Sequence, residues 1–401
     1  MRTLISNARL VDHEKDINMD LIIENGLIVE IVEPGALSSS DCDEVFDAKG
    51  LVVMPAFCDL HAHFRDPGFT YKEDIFTGCR AAVRGGYTTV NLMANTNPIC
   101  SSMDIVNYVK AKAEELGIVD IIQTVSITKD FDWETLSHLD DISDVPFISD
   151  DGRGTPIDNV VTLNAMKKAK ALGLVILSHA EDYGVSDTQD RIAENLMTAR
   201  DVMLASYIGC RLHMCHVSTK EAIDTISFAK KQHDNISCEV TPHHIALTDE
   251  TTYKVAPPLR KERDRRALIS AIKDGSVDMI ATDHAPHTPE DKKNGSPGMT
   301  GIEIAFSICN TYLVEKGEIS LSMLSKLMSY NPAMMMGINK GELVCGREAD
   351  LVVIDPSQKL LLKAENMTSK CQNTPFLGST LTGDVIATFK AGKLVYGQLK
   401  S

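Results

Sequence analysis

A (β/α)8 barrel joined to a small β-domain is the fold this sequence predicts, and three observations carry it. Eight short apolar strands alternate with helical stretches through the middle of the 401-residue chain, the repeat expected of a parallel barrel. The two ends share a different texture of short strands and tight turns. Polar residues gather at the carboxyl ends of the middle strands, where such a barrel builds its active face.

The elements follow in order. The first segment reads "TLISNARLV", "DLIIENGLIVEIV" and "EVFDAKGLVVM", with Asn25-Gly26 as a hairpin signal. The last, "GREADLVVIDP" and "DVIATFKAGKLVYG", turns at Ala391-Gly392 and pairs with the first in one β-domain. This domain is expected over 1–54 and 336–401, with the barrel over 55–335. The barrel strands are "LVVMPAFCDLHAHF", "YTTVNLMANT", "DIIQTVSIT", "VPFISDDG", "LVILSHAED", "RLHMCHVST", "ISCEVTPHH" and "DMIATDHAPH". Helical runs such as "IVNYVKAKAEELG" and "VVTLNAMKKAKALG" fall between them, several ending at a C-capping Gly. A doubly wound sheet would not usually carry so many units.

Composition narrows the function. A hydrophobic fraction of 43% with 24% charged residues is that of a soluble globular protein with a large core. The formal net charge of −16 disfavours nucleic acid and anionic membranes, so local cations must hold any anionic substrate. The start, "MRTLISNARLVDHEKD", has no signal-peptide core and no 18-residue apolar run follows, so a cytoplasmic protein is expected. Ten cysteines are scattered with no C-x-x-C pair, as reduced thiols are. Cys215, next to His216, is expected to face away from it on a strand.

The chemistry starts at "DLHAHFRDPG". A strand turns alternate residues to one face, so Asp59, His61 and His63 point together, which suits chelation. An H-x-H pair alone carries little weight. However, six of the eight strands end in His or Asp: His61/His63, Asp150/Asp151, His179, His216, His243/His244 and Asp283/His284. So many imidazoles and carboxylates around one mouth exceed what packing needs. Two divalent metals bridged by a carboxylate account for the count.

These residues resemble the cyclic amidohydrolases, and among them the bacterial type I dihydroorotases. The resemblance runs through "DLHAHFRDPG", "GGYTTVNLMANTNP", "SDDG", "SHAED", "HMCHVSTKEA", "EVTPHH", "PPLR" and "ATDHAPH", in that order along nearly the whole chain. It implies two Zn²⁺ ions held by His61, His63, Asp151, His179, His216 and Asp283, with Asp151 as the bridge. His61, His63 and Asp283 would hold the more buried ion, His179 and His216 the other. His243, a ligand candidate from the residues alone, becomes supporting by the resemblance, as does His244; His213, three positions before His216 and so on the opposite strand face, is expected to be structural.

The resemblance assigns Arg65, Asn95 and His287 to the substrate, which carries carboxylates that need charged or amide donors. The Pro- and Gly-rich "HTPEDKKNGSPGMTGIE" is expected to cover the site as a mobile loop, with backbone amides near Pro297 and Gly298 over the substrate. The reaction implied is reversible closure of N-carbamoyl-L-aspartate to L-dihydroorotate in pyrimidine biosynthesis, with Asp283 as general base and acid.

Two positions depart from the pattern. Ala256 stands where an asparagine is usual before "PPLR", and the loop after His287 has "SPG" where Pro-Phe-Gly is usual. Both touch the substrate side and keep an allantoinase- or hydantoinase-type hydrolase as the enzymic alternative. A catalytically inactive scaffold is the other alternative, and the complete ligand set argues against it. The resemblance leaves room for a homodimer and for an aspartate carbamoyltransferase partner, and no stretch of the sequence points to either.

Overall fold

The computed structural model of the chain describes residues 2–152 and 158–398. Strands β1 (Arg2–Val11), β2 (Asp16–Glu24), β3 (Leu27–Val32), β4 (Glu44–Asp47) and β5 (Val52–Pro55) come first. Asn25 and Gly26 both have positive φ, 52° and 81°, as the tight turn between β2 and β3 requires.

The barrel follows as β6 (Phe57–Ala62), β7 (Tyr87–Leu92), β8 (Asp120–Gln123), β9 (Phe147–Ile148), β10 (Val175–Ser178), β11 (Arg211–Met214), β12 (Ile236–Val240) and β13 (Met279–Ile280). Its strands are parallel, in runs β6-β7-β8 and β9-β10-β11-β12-β13. Parallel bridges from Val125 to Ile148 and from Ala62 to His284 join the two runs into a ring. The predicted first strand is divided: "LVVMPAF" serves two sheets, with β5 pairing β1 and β14 and β6 pairing β7.

Strands β14 (Leu351–Leu361), β15 (Thr380–Lys390) and β16 (Lys393–Gly397) return to the first sheet, whose order is β16-β15-β14-β5-β1-β2-β3 with β4 beside β1. Its core packs Ile5, Leu10, Leu21, Val53, Leu351 and Phe389.

Helices α1 (Ile75–Arg84), α2 (Met103–Leu116), α3 (Asn159–Leu172), α4 (Ser186–Ile208), α5 (Lys220–Lys230), α6 (Pro242–Ala246) and α7 (Glu262–Lys273) lie between the barrel strands, with 3-10 turns in place of a helix between β8 and β9 and both α6 and α7 between β12 and β13, and α8 (Pro289–Lys293) follows the last. Asp74 and Thr77 form a capping box on α1. Helices α2, α3 and α4 stop at Gly117, Gly173 and Gly209, with φ of 68°, 73° and 72°, as glycine C-caps do. Helix α4 is the longest of these, yet its pattern is weak. It buries Ala193, Met197, Val202 and Ala205 while exposing Ile192, Leu196, Met203 and Tyr207, so the apolar–polar contrast of a surface helix is blurred.

One buried cation ties the ends of the chain to the barrel. Lys340, 5% exposed, places its Nζ 2.6 Å from Asp350 Oδ2 and against Asp120 at the start of β8. Lys340→Met leaves Asp350 buried without its partner, so a loss of about 3–5 kcal/mol is expected in urea-induced unfolding. A loss below about 1 kcal/mol would show that the ion pair does not hold these elements together.

Candidate metal centre

Side chains from five strand ends meet at the carboxyl mouth of the barrel. His61 Nε2 lies 3.4 Å from Asp151 Oδ1 and 3.7 Å from Asp283 Oδ1. His63 Nε2 lies 3.2 Å from Asp283 Oδ1 and 3.5 Å from Asp151 Oδ2. His179 Nδ1 is 3.1 Å from Asp151 Oδ1 and 2.8 Å from His216 Nε2. Asp151 therefore faces both histidine pairs. The ligand atoms of His61, Asp151 and His216, and those of His61, His63 and Asp283, lie within 4.8 Å of one another.

Two of these residues reach the centre by leaving regular strand geometry. Strand β11 ends at Met214 and β13 at Ile280, and beyond them His216 and Asp283 have φ of 34° and 46°. Arg65, past the end of β6, has φ of 61°. Non-glycine residues in this region carry strain that surrounding structure must hold, and such residues cluster at functional sites. The turn also undoes the face assignment made from strand alternation. Cys215 and His213 do not point away from the centre: Cys215 joins His61 and Glu239 in one group, and His213 Nε2 sits 3.1 Å from Glu239 Oε2. Alternation ceases where the strand does.

The electrostatics favour a cation here. Burial alone pushes the Asp151 carboxyl up, but the charge of His61 and the contacts of His179 and His216 outweigh it and hold it well below its ordinary range. Burial likewise lowers His179, yet the hydrogen bonds and charges of Asp151 and Glu181 together outweigh it and lift the imidazole to about 10. His61 Nε2 is buried and has no hydrogen-bond partner, although it lies between two carboxylates. A donor set of imidazole nitrogens and carboxylate oxygens suits a divalent transition metal, and the buried, unbonded Nε2 fits a ligand atom better than a packing residue.

A second layer orients the first. His61 Nδ1 is 2.8 Å from Glu239 Oε1, and the His216 backbone N–H donates to the same oxygen at 3.3 Å. Burial raises Glu239, but hydrogen bonds from His213 and His61 overcome it and bring the carboxyl to about 2. Sequence reading passed over Glu239, although a charge inside the apolar strand "ISCEV" was a signal. Asp59 shares the face of His61 but turns to Thr282, whose N–H donates to it at 2.9 Å, so it braces β6 against the strand carrying Asp283. Asp150 accepts from the Ile127 and Thr128 N–H groups at 2.6 and 3.1 Å. His243 and His244 are buried; His244 Nε2 donates to the Pro257 carbonyl at 3.0 Å, fixing the loop that carries Ala256.

A cavity of about 200 Å³ opens above this centre. His63, Asp151, His179, His216 and Asp283 form its floor, and Arg65, Asn95, Gly152, Ala256, Ala285, His287, Ser296, Pro297 and Gly298 its walls. All the residues predicted for a substrate are thus brought to one space, with His61 buried behind them. Asn95 also supports the centre, its Oδ1 lying 2.9 Å from His63 Nδ1. The loop after His287 is tied down: Lys292 Nζ donates to the carbonyls of Lys254, Ser296 and Gly298 at 2.8, 2.9 and 2.9 Å. The expected amides are not free, because Pro297 has no N–H and that of Gly298 donates to Lys254 at 3.1 Å. Gly298 has φ of 117°, and a Cβ there would stand 2.6 Å from Ala285 Cβ, so only glycine fits the wall.

One wall is basic in an acidic chain. Arg65 Nη2 is 3.2 Å from His287 Nε2, and Lys72 Nζ is 3.3 Å from His287 Nδ1. Burial, then the charges of Arg65, Lys72 and Lys292, push His287 down to about 3. A neutral imidazole accepts at only one ring nitrogen. Arg65 and Lys72 therefore cannot both donate to it, and Lys72 Nζ also lies 3.3 Å from Asp291 Oδ1, while the guanidinium of Arg65 keeps further donors for an anion. Lys72 and Asn373, which accepts the His287 N–H at 2.8 Å, were not anticipated from sequence.

The amidohydrolase family model matches residues 52–395. A dihydroorotase from Clostridium botulinum is 51% identical over 400 residues, covering 99% of this chain and 100% of that protein. The chain belongs to the amidohydrolase family, among its dihydroorotases. A dihydroorotase from Aquifex aeolicus is 36% identical, with 99% of each chain covered. Among solved structures, this amidohydrolase superposes on an L-hydantoinase (dihydropyrimidinase) from Arthrobacter aurescens with a TM-score of 0.91 at 24% identity, covering 100% of this chain and 97% of that one. That likeness establishes the barrel with its β-sheet appendage. As a member of this group the chain is a hydrolase acting on cyclic amides.

Proposed function

We propose that the chain catalyses the reversible closure of N-carbamoyl-L-aspartate to L-dihydroorotate with two zinc ions. The observation that carries this reading is the pairing of a six-ligand centre with a basic wall in one cavity. His61, His63 and Asp283 would hold one ion, His179 and His216 the other, with Asp151 between them. When bound, two divalent cations supply Lewis acidity and lower the pKa of water towards neutrality.

The chain's own residues do the rest. Asp283, whose Oδ1 faces the cavity floor, takes a proton from the attacking water and passes it to the departing ring nitrogen; closure runs the same transfers backwards. Arg65 and His287 bind the substrate carboxylate, and Asn95 orients the ring. Gly152, at φ of 80°, lets the Asn95 amide approach where a Cβ would stand 2.5 Å from its Nδ2. Ala256 removes one donor from the opposite wall, which leaves Arg65 as the main specificity element.

Lys72 sets the hydrogen bonding of His287, and Lys72→Met is expected to raise KM for the anionic substrate about tenfold with kcat within about twofold, a loss on the order of 1–2 kcal/mol for one charge-assisted contact. An unchanged KM removes Lys72 from the account. For the function itself, the purified protein is assayed on dihydroorotate, allantoin and dihydrouracil. The reading expects dihydroorotate to be preferred by orders of magnitude in kcat/KM, and preference for either other ring overturns it.

A further inference from the structure

The stretch between strands β14 and β15 packs against the loop that follows the last barrel strand. Two buried carboxylates fix it there by its backbone. Glu303 accepts the Thr368 and Ser369 N–H groups, both at 2.7 Å, and Glu73 accepts the Lys370 N–H at 3.2 Å and the Ser369 hydroxyl. Glu73 and Glu303 are 0 and 4% exposed. The stretch is thus a fixed base, and it presents the side chain of Asn373 to the loop.

Asn373 meets both stems of that loop. On the entering stem its Oδ1 accepts the His287 N–H at 2.8 Å and its Nδ2 donates to the Ala285 carbonyl at 3.1 Å. On the returning stem Nδ2 donates to the Gly298 carbonyl at 3.2 Å, and Oδ1 lies 2.7 Å from the Thr300 hydroxyl. The Thr300 N–H also donates to the Asn373 carbonyl at 2.9 Å. An amide side chain offers two donor hydrogens and an oxygen with two lone pairs, so its whole capacity is engaged. Aspartate, of the same size, would set a charge against two carbonyls. Beyond the backbone bridge between His284 and Met299, Asn373 spans the opening between the stems.

We propose that Asn373 is a positioning residue for the reaction: it holds His287, and through it Arg65, where the substrate carboxylate binds. This rests on the reading above that these two residues take the carboxylate. His287 is held by its N–H on Asn373, and its Nε2 lies 3.2 Å from Arg65 Nη2. A shift of this backbone therefore moves the basic wall relative to the centre below it.

Asn373→Asp keeps the size and both acceptor positions and loses both donors. It is expected to raise KM for dihydroorotate about tenfold or more, with kcat within about threefold and bound metal unchanged. A residue that only stabilised the fold would change the amount of active protein, hence apparent kcat, and leave KM as it was. In the same variant, amide hydrogen exchange over residues 285–300 is expected to quicken about tenfold or more, with the barrel strands unchanged. Should Asn373→Asp fail to fold, Asn373→Ser is read in the same two ways. Exchange needs no substrate, so failure of the clamp is told apart from failure of the substrate reading: slow exchange in the variant overturns the first, and a natural chain inactive on dihydroorotate the second. Quickened exchange with an unchanged KM, or a fall confined to kcat, overturns the positioning role.

Discussion

Asp283→Asn is expected to lower turnover about 10³-fold while leaving the bound metal within about a factor of two of the parent chain. The carboxylate is buried, and its pKa lies well below the usual range. Burial pushes it up, but the hydrogen bond from His63 and the charges of His61, His63 and His216 prevail. It is thus ionised at neutral pH and able to accept a proton, and its Oδ1 lies 3.2 Å from His63 Nε2 at the cavity floor. Asparagine keeps the shape and one oxygen but cannot carry the proton from water to ring nitrogen. Metal content must be measured on the same sample, since Asp283 is also a proposed ligand. A variant with full metal and turnover within tenfold of the parent would remove the proton-transfer role.

Asp151→Ala is expected to abolish activity by a different route. Its two oxygens lie within 3.5 Å of His61, His63, His179 and His216, so the change removes the one anion shared by both histidine pairs. At least one of two ions per chain should be lost, and excess metal should not restore turnover. Glu239→Gln acts through the His61 imidazole and is expected to weaken metal affinity by only about 10–100-fold. Elemental analysis after dialysis orders the two variants. Equal metal retention in both would mean that Asp151 does not bridge.

Much of this centre was legible in the sequence because its chemistry lies at strand ends. A barrel with alternating strands and helices fixes where those ends gather, and His61, His63, Asp151, His179, His216 and Asp283 all fall there. Residues whose role depends on long-range packing were not legible. Asn373 reaches His287 across 86 positions, and Lys72 in "YKED" reads as an ordinary solvated charge. Glu239 was hidden by the expectation that a barrel strand is apolar. The faces of His213 and Cys215 were misassigned because the positive φ of His216 breaks the alternation on which face assignment rests. The pattern of helix α4 was hidden because it exposes Ile192, Leu196, Met203 and Tyr207 while burying Glu194 and Asp201.

The most direct test is metal-titrated turnover. The chain is stripped with a chelator, refilled with zinc in steps, and assayed at each step for closure of carbamoyl-aspartate at mildly acidic pH and opening of dihydroorotate at alkaline pH. Both activities are predicted to rise from near zero and level off at about two zinc ions per chain. Two ions bound with neither activity present would contradict the account at its centre.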